Sequence, residues 1–425
     1  MNRPPGEEDA VSRAPAGAIA LKRSLTLGLL TLYGLGTILG AGIYVLVGRV
    51  AATAGMYAPL AFVIAALLAG LTGLSYAELS ARLPKSAGEA VYVQEGLRRR
   101  WLSVVVGLLI VLTGVVSAAT IANGFVGYLH VFVAVPDGLA VVVLVLLLGA
   151  LAAWGITESV VAASLVTLVE LGGLAFIIYI GGAGLVDLPA RWPELVPPPA
   201  AGVWHGILLG AFLAFYAFIG FEDMVNVAEE VKEPGRTLPL AILIAIVVST
   251  VLYLLVALVA VLALPPAELA ASRAPLALIY ERATGSPPTL IALVSLFAVV
   301  NGALIQIIMS SRVLYGMSRE GWLPEALGKV SPVTRTPLAA TALVGATVLV
   351  LAVALPIVTL AKATSLIVLI VFALVNLALV RIKRRDPRPA GVRVFPLAIP
   401  LAGFLASTGF VALQLAELLA GLPLP

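Results

Sequence analysis

The chain has 425 residues, of which 61% are hydrophobic and only 11% charged, with a formal net charge of +4. A globular surface needs roughly a quarter charged residues, so this composition excludes a soluble protein and points to many membrane crossings. The absence of Cys removes disulfides and thiolate metal sites. With only His130 and His205, a histidine metal centre is disfavoured too.

In chain order, residues 1–24 are rich in Pro, Ala and charge and read as a disordered cytoplasmic tail. They lack the apolar core and small-residue cleavage site of a signal peptide. A helix needs roughly 20 apolar residues to cross the hydrocarbon layer. Such stretches fall near 25–48, 57–80, 101–132, 138–156, 159–184, 203–228, 237–264, 288–316, 337–355, 358–380 and 395–421. The fold class expected is all-α and polytopic, with eleven spans. If the N-terminus is inside, 21 of the 26 Lys and Arg residues fall in cytoplasmic segments; Arg49, Arg191, Arg273, Arg282 and Lys362 do not. The positive-inside rule then places the N-terminus in the cytoplasm and, eleven being odd, the C-terminus outside. The positive charge follows topology and gives no reason to expect nucleic acid; the lipid bilayer is the surrounding partner.

Two spans carry a weak point at mid-depth. The first contains Leu35-Gly36-Thr37-Ile38-Leu39-Gly40-Ala41-Gly42-Ile43-Tyr44, the sixth Phe218-Ile219-Gly220-Phe221-Glu222. Glycine tolerates unwinding, which frees backbone amides and carbonyls at a depth where few other groups offer such chemistry. The expected units are residues 25–184 and 203–381, five spans each, with an additional helix at 395–421. An odd number of crossings per unit puts the two in opposite orientation, the arithmetic of an inverted repeat, and paired broken helices are the pattern of a secondary transporter.

Those two segments are joined by Leu83-Pro84-Lys85-Ser86-Ala87-Gly88-Glu89, by Ala228-Glu229-Glu230-Val231-Lys232-Glu233-Pro234-Gly235-Arg236-Thr237-Leu238-Pro239, and by Arg312-Val313-Leu314-Tyr315-Gly316-Met317-Ser318-Arg319-Glu320-Gly321. In this order and at these separations they resemble the amino acid–polyamine–organocation superfamily, closest to its cationic and neutral amino acid transporter branch. The resemblance implies a LeuT-type fold with a substrate site among spans 1, 3, 6, 8 and 10, in a multi-pass plasma-membrane protein. Most members have twelve spans, so by this resemblance the chain is expected to lack the last.

An amino acid's carboxylate seeks amides at a positive helix end, and its ammonium seeks carbonyls at a negative one. The break near Gly40 offers the amides of Ala41, Gly42 and Ile43 and the carbonyl of Ile38. By resemblance, the carbonyl of Ile219 joins it, Tyr216 is an aromatic gate, and Glu222 is an acidic coupling position. Gln306 and Asn301 are polar residues deep in span 8; Gln306 is expected to reach the substrate side chain.

Glu170 lies halfway along span 5, where an acid costs a few kcal/mol and is functional by default. Several relatives carry Lys there, so the charge is reversed. Desolvation favours the protonated form, making Glu170 a proton carrier. Alternatively it forms a cation site with Ser310 and Ser311. The expected activity is secondary active transport of amino acids by alternating access, proton-coupled, with neutral side chains favoured by the apolar surroundings. The alternatives are a sodium-coupled or uncoupled exchanger of amino acids or polyamines and, more remotely, a non-transporting receptor. No enzyme and no cofactor is expected, since no nucleophile–base set or metal-ligand cluster appears.

Overall fold

The computed structural model describes residues 21–39, 41–129, 132–133, 135–272, 275–354 and 358–420. The disordered tail expected over residues 1–24 therefore lies almost wholly outside the described residues, as do Gly40 and His130. Among the described residues the regular structure is helical, apart from one isolated parallel bridge between Leu25 and Val231.

The helices are α1 (Leu27–Ile38), α2 (Ala41–Ala54), α3 (Ala58–Arg82), α4 (Gly88–Leu97), α5 (Arg100–Leu129), α6 (Asp137–Trp154), α7 (Ile156–Gly181) and α8 (Leu188–Arg191). They continue with α9 (Ala201–Tyr216), α10 (Pro234–Ala263), α11 (Pro266–Ala271), α12 (Pro275–Thr284), α13 (Thr289–Arg319), α14 (Leu338–Ala354), α15 (Val358–Arg385) and α16 (Ala398–Ala420). Between α9 and α10 the chain forms a tighter 3-10 segment, Phe221–Glu230. Among the described residues, nine helical stretches are long and apolar enough to cross a membrane, and the shorter α1 and α14 are apolar as well.

The first and sixth spans expected from the sequence are each divided. In the first, α1 stops at Ile38 and α2 begins at Ala41. In the sixth, α9 stops at Tyr216 and 3-10 geometry starts at Phe221. The halves cross-pack: α2 lies on α9, while α1 lies on Phe221–Glu230. The two divided segments therefore run past each other in opposite directions, with their breaks side by side. Gly220 makes this possible. Its φ is +130°, and an added Cβ would stand 2.8 Å from the Thr37 backbone, so both conformation and closeness require glycine.

Around this pair, α10 packs against α1, α3 packs against α9 and α10, and α13 packs against α5 and α7. Aromatic rings of Tyr76, Phe215, Phe221 and Phe372 meet edge-on or tilted at centroid separations of 5.3–6.0 Å, tying α3, α9 and α15 into the core. The outward faces of α6, α7, α10 and α16 leave Leu146, Leu165, Val247 and Leu405 exposed. In water such surfaces would be an association liability; against acyl chains they are the required coat.

Candidate functional site

The site grows from the two breaks. A helix leaves its last carbonyls and first amides without partners, so α1 presents carbonyls and α2 presents amides at one place. The Thr37 hydroxyl donates back to the Gly34 carbonyl at 2.8 Å, satisfying one acceptor within α1. Tyr253 of α10, wholly buried, places its hydroxyl within bonding distance of two more: the Ile38 carbonyl and, at 3.0 Å, the Ala217 carbonyl. One hydroxyl proton thus ties both breaks to the same ring. The Ile38 carbonyl, expected from sequence to face a ligand, is already engaged and retains one further lone pair. In sequence, a tyrosine inside an apolar helix looks like packing; only its partners mark Tyr253 as part of the site.

The remaining sequence-selected residues distribute as follows. Gly40 lies outside the described residues, and Ala41 and Gly42 open α2. Ile43 is fully buried, whereas Ile219 and Tyr216 are half-buried beside the second break. The Ile219 amide donates to the Tyr216 carbonyl at 3.2 Å, which turns the chain after α9. Glu222 closes that turn by accepting the Gly220 amide at 2.8 Å. Gln306 donates to the Asp223 carboxylate at 2.9 Å, so its amide nitrogen is tied to Phe221–Glu230 rather than left for a ligand. Its oxygen, without a partner among the described residues, faces Gly114 of α5.

Glu170 is fully buried beside the first break. On one flank, Thr167 fills the space over Gly36 of α1; on the other, the Tyr44 hydroxyl of α2 donates to the Glu170 carbonyl at 3.3 Å. Asn301 of α13 donates to one carboxyl oxygen at 3.0 Å and to the Thr167 hydroxyl at 3.1 Å. The second carboxyl oxygen has no partner among the described residues, and no ion pair involves Glu170 there. Ser310 and Ser311 are not brought to it. They follow Asn301 by nine and ten residues, roughly 13 to 15 Å along the helix. Ser311 is committed elsewhere, donating to the Ile308 carbonyl at 2.7 Å and accepting from Arg312 at 2.9 Å. The three do not assemble one coordination shell, because the serines lie at a different level of α13 from Asn301, where Glu170 of α7 meets that helix.

The Lys- and Arg-rich end of the bundle is sealed by a second set of contacts. Arg312 and Glu230, both fully buried, pair at 2.8 Å. The Glu230 carbonyl accepts the amides of Ser24 and Leu25, and the Lys232 amide donates to the Leu25 carbonyl at 2.9 Å, so the chain before α1 is stitched to the chain after the second break. Glu229 accepts the Ser86 amide at 3.2 Å and the Tyr315 hydroxyl at 2.9 Å. Lys85 pairs with Glu320 at 2.6 Å nearer the surface. Glu78, fully buried, gathers Arg82, Lys383 and the Phe395 amide. Among the described residues no cluster of His, Cys, Asp and Glu fits a metal ion.

This geometry can present amides and carbonyls to a small zwitterion between two breaks, with a buried acid alongside. Residues 26–419 match the family model described as amino acid permease. A branched-chain amino acid permease of Bacillus subtilis is 30% identical over 92% of this chain and 89% of its own length. A methylthioribose transporter of the same organism is 29% identical over 87% of this chain and 83% of its own. A vacuolar cationic amino acid transporter of Arabidopsis thaliana is 29% identical over 86% of this chain and 61% of its own.

Proposed function

The chain belongs to the amino acid permease family of the amino acid–polyamine–organocation superfamily, and from that premise we propose that it is a proton-coupled secondary transporter of neutral amino acids working by alternating access. The observation that carries the coupling is Glu170: a fully buried carboxyl flanked by α1 and α2, hydrogen-bonded by Asn301 and facing no cation among the described residues. An unpaired charge in such a place is too costly to keep, so the group carries a proton while buried and releases it when the flanking helices move.

The substrate binds between the breaks. Amides of the first turn of α2 receive its carboxylate at a positive helix end, while the carbonyls of Ile38 and Ile219 receive its ammonium. Tyr216 covers it. Phe218 and Phe221, both fully buried, and half-buried Ile219 surround the site with apolar surface and favour a neutral side chain. The substrates for which the relatives are named, branched-chain and cationic amino acids and methylthioribose, span three chemistries, so the apolar lining decides the choice here.

By the positive-inside rule the sealed, basic end is cytoplasmic. Sealing by Arg312–Glu230 and by the Leu25–Val231 bridge then describes a state closed to the cytoplasm. The test is uptake and counterflow of a labelled amino acid panel in proteoliposomes, with proton and sodium gradients imposed separately. Neutral amino acids should exchange, and an inward proton gradient should drive accumulation. Absence of counterflow with every amino acid would remove the transport reading; sodium-driven accumulation would replace the proton.

A further inference from the structure

A second group of buried acids lies on another face of α13. Gln306 follows Asn301 by five residues, about 7.5 Å of rise and about 140° of turn, so it addresses different neighbours. Around it stand Glu89 of α4 and Glu222 and Asp223 of the segment Phe221–Glu230, each no more than 3% exposed. Their hydrogen-bond donors are all neutral. Glu222 takes the Gly220 amide, Asp223 the Gln306 amide, and Glu89 the Asn226 amide at 3.5 Å, while Asn226 is itself held by the Gly88 amide at 3.1 Å. The second Glu89 oxygen has no partner among the described residues.

An acidic cluster alone says little, but a fully buried tyrosine adds an independent observation. The Tyr76 hydroxyl of α3 has no hydrogen-bond partner among the described residues, and it stands within electrostatic range of Glu89, Glu222 and Asp223 together. Tyr92, equally buried and unpartnered, places its hydroxyl beside Gly88. The other groups facing the cluster do not neutralise it. Tyr33 of α1 is within range of Asp223 and is neutral. Arg312 is spent on Glu230 and Lys383 of α15 on Glu78. Helix α5 has no ionisable residue between Trp101 and Ile121. Three buried carboxylates with neutral donors cannot all be charged; two sharing one site already push a proton on.

We propose that Glu89, Glu222 and Asp223 form a second proton-binding site, distinct from Glu170, between the substrate site and the sealed basic end. Proton binding there is simple: a carboxylate and a proton give the neutral acid, which raises the charge of the cluster by one. Tyr76 and Tyr92 lie beside it as neutral hydroxyls able to donate to whichever carboxylate remains. Glu89, outside the spans, fits this, since burial pushes its carboxyl up to about 8 against the opposing pull of its backbone amide, Asn226 and the nearby Tyr76 hydroxyl. The site goes beyond the Glu170 reading and does not need it.

Infrared pH titration of the full chain in lipid nanodiscs tests this. A carbonyl-stretch band from protonated carboxyl groups should be present at neutral pH in wild type and persist in Glu170→Gln. It should shrink in Glu89→Gln and in Asp223→Asn, whichever of these variants folds. Thermal stability gives a second readout. A carboxyl raised from 4.5 to about 8 contributes stability that is full below the lower value and lost as pH rises through the upper one. Wild type should therefore lose stability across that window, and Glu89→Gln should lose less. Complete ionisation of the cluster in Glu170→Gln at neutral pH would overturn the proposal. So would sodium or potassium chloride abolishing the band at fixed pH, because the site would then hold a metal cation instead.

Discussion

The buried charges at the basic end and those in the middle of the bundle are handled in opposite ways. Glu230 and Glu78 are fully buried, and each has an arginine or lysine against it. Glu170 is equally buried and has an amide. Desolvating a carboxylate costs several kcal/mol either way; pairing repays that cost with a fixed counter-charge, whereas a lone acid repays it by binding a proton. A fixed pair suits a seal that must be broken as a unit. A neutralised acid suits a group whose charge changes during a cycle.

The comparison breaks most visibly by stripping a counter-charge. Arg312→Met leaves Glu230 bare and buried, at about 3–5 kcal/mol of stability. Detergent-solubilised protein should show a large drop in melting temperature, and Glu230→Gln in the same background should restore part of it. In the middle, Gly220→Ala forces a side chain onto a φ of +130° against the Thr37 backbone. It should cost about 1–3 kcal/mol and weaken substrate counterflow strongly, since both breaks are displaced.

Tyr253→Phe keeps the ring but removes the hydroxyl shared by the Ile38 and Ala217 carbonyls. The expected loss is about 1 kcal/mol, read as a several-fold rise in the KM of uptake with little change in melting temperature. The smallest effect sharpens the contrast from the outside. Lys85→Ala removes a partly exposed pair with Glu320 and should change stability by about 0–1 kcal/mol, so the seal rests on its buried members.

The divided spans were legible in sequence because glycine announces them: Gly220 lies at an observed turn, and α2 restarts immediately after Gly40. Glu170 was legible because an acid inside an apolar run is conspicuous. Its partner was not. Asn301 and the Ser310–Ser311 pair are all polar residues of one helix, and only the level at which α7 meets α13 decides among them. Arg312–Glu230 was hidden for a different reason: both residues lie in motifs rich in charge, where surface and interior are indistinguishable without the fold. Glu89 ends the polar segment 83–89, yet it lies in the first turn of a helix that carries it inside. Long-range packing, not local pattern, supplies that information.

The central claim is that an unpaired buried acid couples transport to protons. Its most direct test is accumulation of a labelled neutral amino acid in proteoliposomes under an imposed inward proton gradient, in wild type and Glu170→Gln. The account predicts that the variant retains counterflow and loses gradient-driven accumulation. Accumulation that follows the proton gradient equally in both would contradict it.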